Sequence, residues 1–163
     1  MNIWRRIRQM SIPQLFRFGL LFVTNPFLIA PTIRASKYTV KICDARFGKM
    51  AHHGNGKANA FRHALWNFEI CRFCQKWLKN DRKSSKWAKK VTDLYEKVTK
   101  NEPLDVAMDL HNNRIGREQF LVGFSENMME NVEKLLKMTE NAINIARIEE
   151  ISADEDQLVY ISE

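Results

Sequence analysis

Apolar residues recur every three or four positions along most of the chain, which is the spacing of one face of an α-helix. Within 85–100 the repeating positions are Trp87, Val91 and Val98. The segment 59–79 is apolar on nearly every side, a pattern typical of a helix at the centre of a core. We therefore expect an all-α fold, a compact single-domain helical bundle.

Proline and capping residues predict where these helices begin and end. Asn25-Pro26 interrupts the apolar run 18–30 and should end a helix there. A β-strand pattern occurs only at 158–161. Asn59 is the predicted cap of a helix over 59–79, and Ser125 is the predicted cap of a helix over 126–148. Between them, Asn101 is the predicted cap of a helix that ends at about 116 or 121.

The charge distribution divides the chain into a basic body and an acidic end. All 26 Lys and Arg residues lie at or before Arg147, whereas 149–163 contains six acidic residues and no base. With the other 13 acidic residues, 1–148 carries a net charge of +13. We expect two basic amphipathic helices in 1–50, a helical core of the same domain in 51–148 and an acidic tail in 149–163.

A body with this charge favours polyanionic partners such as anionic phospholipid, nucleic acid or acidic proteins. The acidic tail has three interpretations: it folds back on the basic face, it binds a protein partner, or it stays solvated. The charge pattern is consistent with all three interpretations.

The N-terminal segment has the composition of a membrane-surface anchor. Residues 1–8 are basic and include Trp4, and the apolar run 18–30 is too short and interrupted to span a bilayer. No secretion signal is predicted. Two interpretations stay open, an interfacial anchor and a core helix whose arginines extend to solvent. We expect a cytoplasmic protein, or one peripheral at the inner membrane face.

The three cysteines and the His52-His53 pair give little indication of chemistry. Cys43, Cys71 and Cys74 are odd in number, and the last two form a CxxC within a predicted helix without a second pair, so we expect buried structural thiols. This usage favours a reducing compartment. His52-His53 lies in a glycine-rich turn, and we expect a loop role rather than metal binding there.

Two polar segments, 59–67 and 108–117, carry the candidate chemistry. Residues four apart share a face of a helix, and both segments contain such rows of polar side chains. The rows are Asn59, His63 and Asn67 in the first segment, and Asp109, Asn113 and Arg117 in the second. If the two helices face each other, these groups form one polar cluster inside the protein.

Several chemistries fit this cluster. A His beside an Asp is the usual general base, and His63, His111 and Asp109 would meet the ligand count of a catalytic divalent metal with one open position. The remaining polar groups would bind a phosphate or carboxylate through forked hydrogen bonds; they are Arg62, Asn67, Asn112, Asn113 and Arg117. The same residues could instead form a satisfied network that fixes helix register without chemistry.

The segments NAFRHALWN at 59–67 and MDLHNNRIGR at 108–117 resemble the motifs of an uncharacterised bacterial helical domain family. That family includes small stand-alone proteins and C-terminal modules of large secreted proteins with toxin-like architecture. The resemblance covers about 55–120 and implies a mostly helical domain, without an established reaction. Members place a His-Glu pair between the motifs, where this chain has Tyr95-Glu96 and therefore lacks the histidine. The implied site is Arg62, His63, Asn67, Glu96, Asp109, His111, Asn112, Asn113 and Arg117.

Three functions are consistent with these patterns. The first is a hydrolase-like protein at or near a membrane surface, acting on a phosphate ester, phospholipid or amide, with the polar cluster as its site. The second is a non-enzymatic binding module for nucleic acid or a ribonucleoprotein. The third, which rests on the resemblance alone, is a relative of antibacterial effectors.

Overall fold

The computed structural model describes residues 11–49, 51–98, 102–151 and 156–162. Over these ranges the chain is almost wholly helical, which confirms the all-α prediction. The α-helices are α1 (Ile12–Val23), α2 (Ile29–Phe47), α3 (Lys57–Leu78), α4 (Asp81–Val98), α5 (Pro103–Val122) and α6 (Met128–Glu140). Short 3-10 helices lie at Pro26–Leu28, Ala51–His53 and Ile148–Glu150.

Helix α3 is the centre of the bundle, as its apolar composition predicts. It contacts α2, α4, α5 and α6, and every residue from Asn59 to Cys71 is buried. Two tryptophans tie α2 to its neighbours, because the Trp66 indole donates to Ser36 Oγ at 2.8 Å and the Trp87 indole donates to Thr32 Oγ1 at 2.9 Å. Both buried indole N–H groups thereby have a hydrogen-bond acceptor.

Helices α3 and α5 approach each other at a point that only glycine permits. A Cβ built on Gly116 would lie 2.0 Å from the backbone oxygen of Ala64. The missing side chain therefore allows backbone-to-backbone contact, with the polar residues of both helices on either side of it.

The prediction of a long helix over 126–148 was wrong. Helix α6 ends at Glu140, and the chain turns into strand β1 (Ile143–Asn144), which pairs in parallel with β2 (Val159–Tyr160). The pairing arises because Ile143 N donates to Leu158 O and Ile145 N donates to Tyr160 O, each at 2.9 Å. Apolar spacing alone does not separate a helix end from a short buried strand.

Predicted caps were also displaced. The cap of α3 is Gly56, so Asn59 lies inside the helix, and α6 is capped by Asn127, whose side chain accepts from Met129 N. The predicted cap Asn101 lies outside the described residues, and α5 begins at Pro103 as the proline rule suggests.

Apolar side chains and backbone hydrogen bonds hold the described part of the C-terminal segment on the bundle. Leu158 and Val159 are buried, and Lys57 Nζ lies 5.4 Å from the centre of the Tyr160 ring. Residues 152–155, with two of the acidic side chains, lie outside the described residues. In the described part, the tail thus packs on the bundle through its β2 sequence.

The N-terminal half is broken at Asn25 as predicted, and a 3-10 helix joins α1 to α2. Among the described residues, no single helix combines the length and apolar content needed to cross a membrane, while Leu15–Val23 and Pro26–Phe47 do so only as a pair bent by 106°. The predicted anchor at 1–8 lies outside the described residues.

The three cysteines are free and buried, which confirms that prediction. Burial raises the pKa of Cys43 to about 12 and that of Cys74 to about 11, and it also raises the pKa of Cys71. The thiols are therefore protonated at neutral pH and act as small apolar groups.

Candidate functional site

The two polar segments meet in register. Helices α3 and α5 run in the same direction, and four hydrogen-bonded pairs each join a residue to the one 50 positions later. Helix α4 lies between them in sequence and returns the chain to the starting end of the bundle, so short connections on either side of α4 suffice. The pairs are Asn55–Asp105 at 2.9 Å, Asn59–Asp109 at 3.0 Å, His63–Asn113 at 3.2 Å and Asn67–Arg117 at 2.9 Å.

Asn67 is the junction between three helices. Its Oδ1 accepts from Thr92 Oγ1 of α4 at 3.1 Å and from Arg117 Nη1 of α5 at 2.9 Å. Its Nδ2 donates to Asn113 Oδ1 at 2.5 Å and to the His63 carbonyl at 3.2 Å. All four hydrogen-bonding positions of this buried amide are used, so its orientation is fixed.

Arg117 ends the row on α5. It is buried, and desolvation lowers the pKa of its guanidinium, against the opposing effect of Asp93. A guanidinium nevertheless stays charged at any pH at which the protein is folded. Its bond to Asn67 gives that charge a fixed polar partner inside the bundle.

Asn113 determines the protonation pattern of His63. Its Nδ2 donates to Glu96 Oε1 at 3.3 Å, which leaves Oδ1 as the acceptor facing His63 Nδ1 at 3.2 Å. An amide oxygen can only accept, so Nδ1 carries the proton. In the neutral tautomer, Nε2 of His63 then presents a lone pair.

Three charged groups surround that imidazole. Asp109 Oδ1 lies 3.2 Å from Nε2, Glu96 Oε1 lies 3.6 Å from Nδ1, and Arg62 Nη2 lies 2.6 Å from Nε2. Arg62 is positioned from the other side, because its Nη1 donates to the His52 carbonyl at 2.8 Å. The guanidinium is thus the cation that contacts the ring nitrogen facing Asp109.

The two carboxylates need a positive charge between them. One ligand atom each from His63, Glu96 and Asp109 lies within 4.8 Å of the other two. When both carboxyls are ionised, two negative charges at that separation repel each other by about 3.5 kcal/mol at an effective dielectric constant near 20. A cation that binds both, whether a guanidinium, an imidazolium or a metal ion, removes this cost.

A buried acceptor beside Asp109 has no partner in the described part of the chain. Asn59 Nδ2 donates to Asp109, whereas Asn59 Oδ1, which is also buried, makes no hydrogen bond to any described residue. A buried acceptor of this kind normally accepts from an ordered water or binds an ion. Asn59 adjoins the cluster through the bond of its Nδ2 to Asp109.

The 3-10 helix Ala51–His53 supports Arg62. His52 is buried and stacks on His53 with ring centres 4.4 Å apart. Desolvation lowers the pKa of His52 to about 4, and the positive charges of His53 and Arg62 act in the same direction. His52 is therefore neutral at pH 7 and contributes to the site through its backbone carbonyl.

His111 and Asn112 do not belong to the cluster, contrary to the predicted metal triad. His111 Nε2 bonds to the carbonyl of Gln157 at 2.8 Å. Asn112 makes two bonds to the backbone of Val159: its Nδ2 donates to the carbonyl at 2.8 Å, and its Oδ1 accepts from the amide at 3.0 Å. Both follow Asp109 on other faces of the helix, so they point at the C-terminal segment. Glu96 replaces His111 as the third group near His63 and Asp109.

Sequence reasoning missed two members of the site. Thr92 precedes Glu96 by four residues, and this spacing could have identified it. The carbonyl of His52 had no signal in the sequence. The resemblance supplied Glu96, which the residue spacing alone had not placed near His63.

The cluster is nearly sealed. Of the predicted site residues, Arg62 is the most exposed at 9%, and Arg117 and Asp109 have 8% and 5% of their surface exposed. His63 is 1% exposed. Arg62 and Asp109, which both face Nε2 of His63, therefore form an edge of the cluster with a small exposed area.

Known proteins give one match. No curated protein and no solved structure matches the chain. The family described as Domain of unknown function (DUF6973) matches residues 19–143, a range that contains both polar segments and Glu96 but ends at the start of β1. Because this match covers well over half of its length, the chain belongs to that family of unknown function.

Proposed function

We propose that this protein is a metal-dependent hydrolase whose centre consists of His63, Glu96 and Asp109. The observation that carries the proposal is the convergence of one ligand atom from each of these buried residues within 4.8 Å. One imidazole and two carboxylates form a ligand set suited to divalent zinc, manganese or iron. Asn59, which donates to Asp109, has a buried oxygen that makes no hydrogen bond to any described residue.

The surrounding hydrogen bonds suit a metal-binding histidine. A ligating imidazole uses one nitrogen for the metal and donates its other N–H to a fixed acceptor. Here Nε2 faces Asp109 at 3.2 Å, and Nδ1 donates to Asn113 Oδ1 at 3.2 Å. Asn113 is itself fixed by Asn67, so the ring orientation is set before a metal binds.

Arg62 is the residue that must move. Its guanidinium lies 2.6 Å from His63 Nε2, and two cations cannot share that position. A metal ion bound by His63 and Asp109 would therefore release the guanidinium toward the exposed edge. There, a planar pair of N–H donors would bind an anionic group of the substrate, which favours a phosphate ester.

The reaction would be the addition of water to the ester. A divalent ion held by His63, Glu96 and Asp109 would supply a water of lowered pKa near neutral pH. In the hydrolysis, the water oxygen would bond to phosphorus while the bond to the leaving alkoxide breaks. Glu96 or Asp109 would accept the proton of that water, and the alkoxide would take up a proton from solvent.

Activity measurements on the full chain test this proposal. The probes are bis-p-nitrophenyl phosphate and p-nitrophenyl acetate, each with added Zn²⁺ or Mn²⁺. We expect metal-dependent hydrolysis of the phosphodiester that falls at least a hundredfold in Glu96→Gln. The matched control is Glu118→Gln, which removes a carboxylate that pairs with Arg114 at the surface of α5.

Absence of turnover with every metal would contradict the proposal. If Glu96→Gln and His63→Ala then lower only thermal stability, the cluster is a structural network, and a binding role for the basic body becomes the better account. Preferential hydrolysis of the acetate ester would contradict the choice of substrate class, not the metal centre.

A further inference from the structure

Helix α1 carries an unpartnered apolar surface. Ile12, Phe16 and Val23 are 84%, 70% and 77% exposed, and Phe27 in the following 3-10 helix is 75% exposed. The helix touches the bundle near its C-terminal end, where the Phe22 ring lies 6.1 Å from the Trp87 ring. Contiguous exposed groups of this size are rare on soluble proteins unless they bind something.

The charged residues of α1 and of the exposed face of α2 are basic. The helix contains Arg17 and no acidic residue, and the exposed face of α2 contains Arg34, Lys37 and Lys41 at helical spacing. Asp44, the acidic residue of α2, is only half-exposed. The ten residues before Ser11 add three arginines in sequence and no acid.

We propose that α1, the 3-10 helix Pro26–Leu28 and the Arg34–Lys37–Lys41 face of α2 form a docking surface for an anionic lipid bilayer. Exposed Phe, Ile, Leu and Val side chains beside Lys and Arg are the composition of helices that lie in the membrane interface. A second copy of the chain would instead place basic residues against basic residues. The inference stands independently of the hydrolytic proposal, since the surface shares no residue with the centre.

Co-sedimentation of the full chain with vesicles tests the inference. The vesicles contain either phosphatidylcholine alone or phosphatidylcholine with 30% phosphatidylglycerol, the latter fraction being of the order used to mimic anionic membranes. We expect binding to the anionic vesicles that weakens as salt is raised. Phe16→Ser combined with Phe27→Ser should reduce the bound fraction at least tenfold, because it removes the apolar contacts.

The matched control is Val122→Ser. Val122 is 78% exposed at the end of α5, so this variant loses an equally exposed apolar group elsewhere and should bind as the unmodified chain does. Circular dichroism confirms that each variant is folded. Lack of binding to anionic vesicles at low salt, an equal loss in Val122→Ser, concentration-dependent dimerisation abolished by the Phe16 and Phe27 changes, or preferential binding to RNA would each overturn the inference.

Discussion

Gly116 of α5 lies directly against the backbone of Ala64 in α3, with no room for a methyl group between them. The polar residues that flank this contact, Asn113 before Gly116 and His63 before Ala64, are hydrogen-bonded to each other. The helix contact and the candidate site are therefore one feature, because the distance between the helices sets the distances between their polar side chains.

Gly116→Ala should disrupt both. The new methyl group would lie 2.0 Å from Ala64 O, so the helices must separate, and we expect a loss of about 3 kcal/mol in the free energy of unfolding. Urea denaturation measures it. Gly19→Ala, on a helix where nothing lies within 4 Å of the new Cβ, should be neutral or slightly stabilising. Equal stability of the two variants would show that the close approach is absent.

Asn67→Ala should be among the most destabilising polar substitutions. It removes four hydrogen bonds and leaves Thr92 and Arg117 without the acceptor that they share. We expect a loss of about 3 kcal/mol, since burying a charged donor without a partner is costly. Asn141→Ala, which removes an exposed side-chain bond to the Lys137 carbonyl, should cost well under 1 kcal/mol by comparison. Similar losses in both variants would mean that the network around Asn67 is not formed.

Asn112→Ala should release the C-terminal segment without opening the centre. Asn112 makes two hydrogen bonds to the backbone of Val159, and the second apolar cluster, of Met108, Ile145 and Val159, lies beside them. We expect the amide of Val159 to exchange with solvent at least tenfold faster, a change that hydrogen-exchange mass spectrometry resolves. Leu110→Ala, two residues away on the same helix, should leave that exchange rate unchanged. Full protection in Asn112→Ala would contradict this role.

His52 should make the stability depend on pH. Its pKa in the folded state is lowered to about 4, whereas an exposed histidine in the unfolded chain has a pKa of 6.5. Between these values the unfolded chain binds the additional proton, so the stabilising contribution is complete above pH 6.5 and is lost as pH falls through 4. In urea titrations at pH 7 and pH 5, His52→Gln should show a smaller decrease than the unmodified chain.

The Glu69 carboxyl changes the stability with pH in the opposite direction from His52. It does not affect the comparison between His52→Gln and the unmodified chain. Burial raises the pKa of Glu69, against the effect of Arg72, which binds it at 2.7 and 2.9 Å. Its contribution is present in both chains, so the difference between them isolates His52. The same pH dependence in both chains would contradict the assignment.

Helix identity was predictable from sequence because apolar spacing and burial agree along α3, α4 and α5. The rows of polar residues four apart were also predictable, and each row lies on one face as expected. The register between the rows was not, because it depends on the contact between Gly116 and Ala64, two residues far apart in sequence. The spacing of residues within each helix does not predict which turns of two different helices lie side by side.

The roles of His111 and Asn112 show where residue type misleads. Both are polar residues in a candidate motif, and a histidine there suggested a metal ligand. Their partners are backbone groups of Gln157, just before β2, and of Val159 in β2, and β2 pairs with β1 after a helix that ends earlier than predicted. Once the end of α6 was misplaced at 148, the segment that these side chains bind could not be foreseen.

Calorimetric titration of Zn²⁺ or Mn²⁺ into the metal-free full chain distinguishes a metal centre from a structural network. We expect one ion to bind per chain, with affinity reduced at least tenfold in Glu96→Gln and in Asp109→Asn and unchanged in His111→Ala. Absence of binding to the unmodified chain, or an equal loss of affinity in His111→Ala, would contradict a metal centre formed by His63, Glu96 and Asp109.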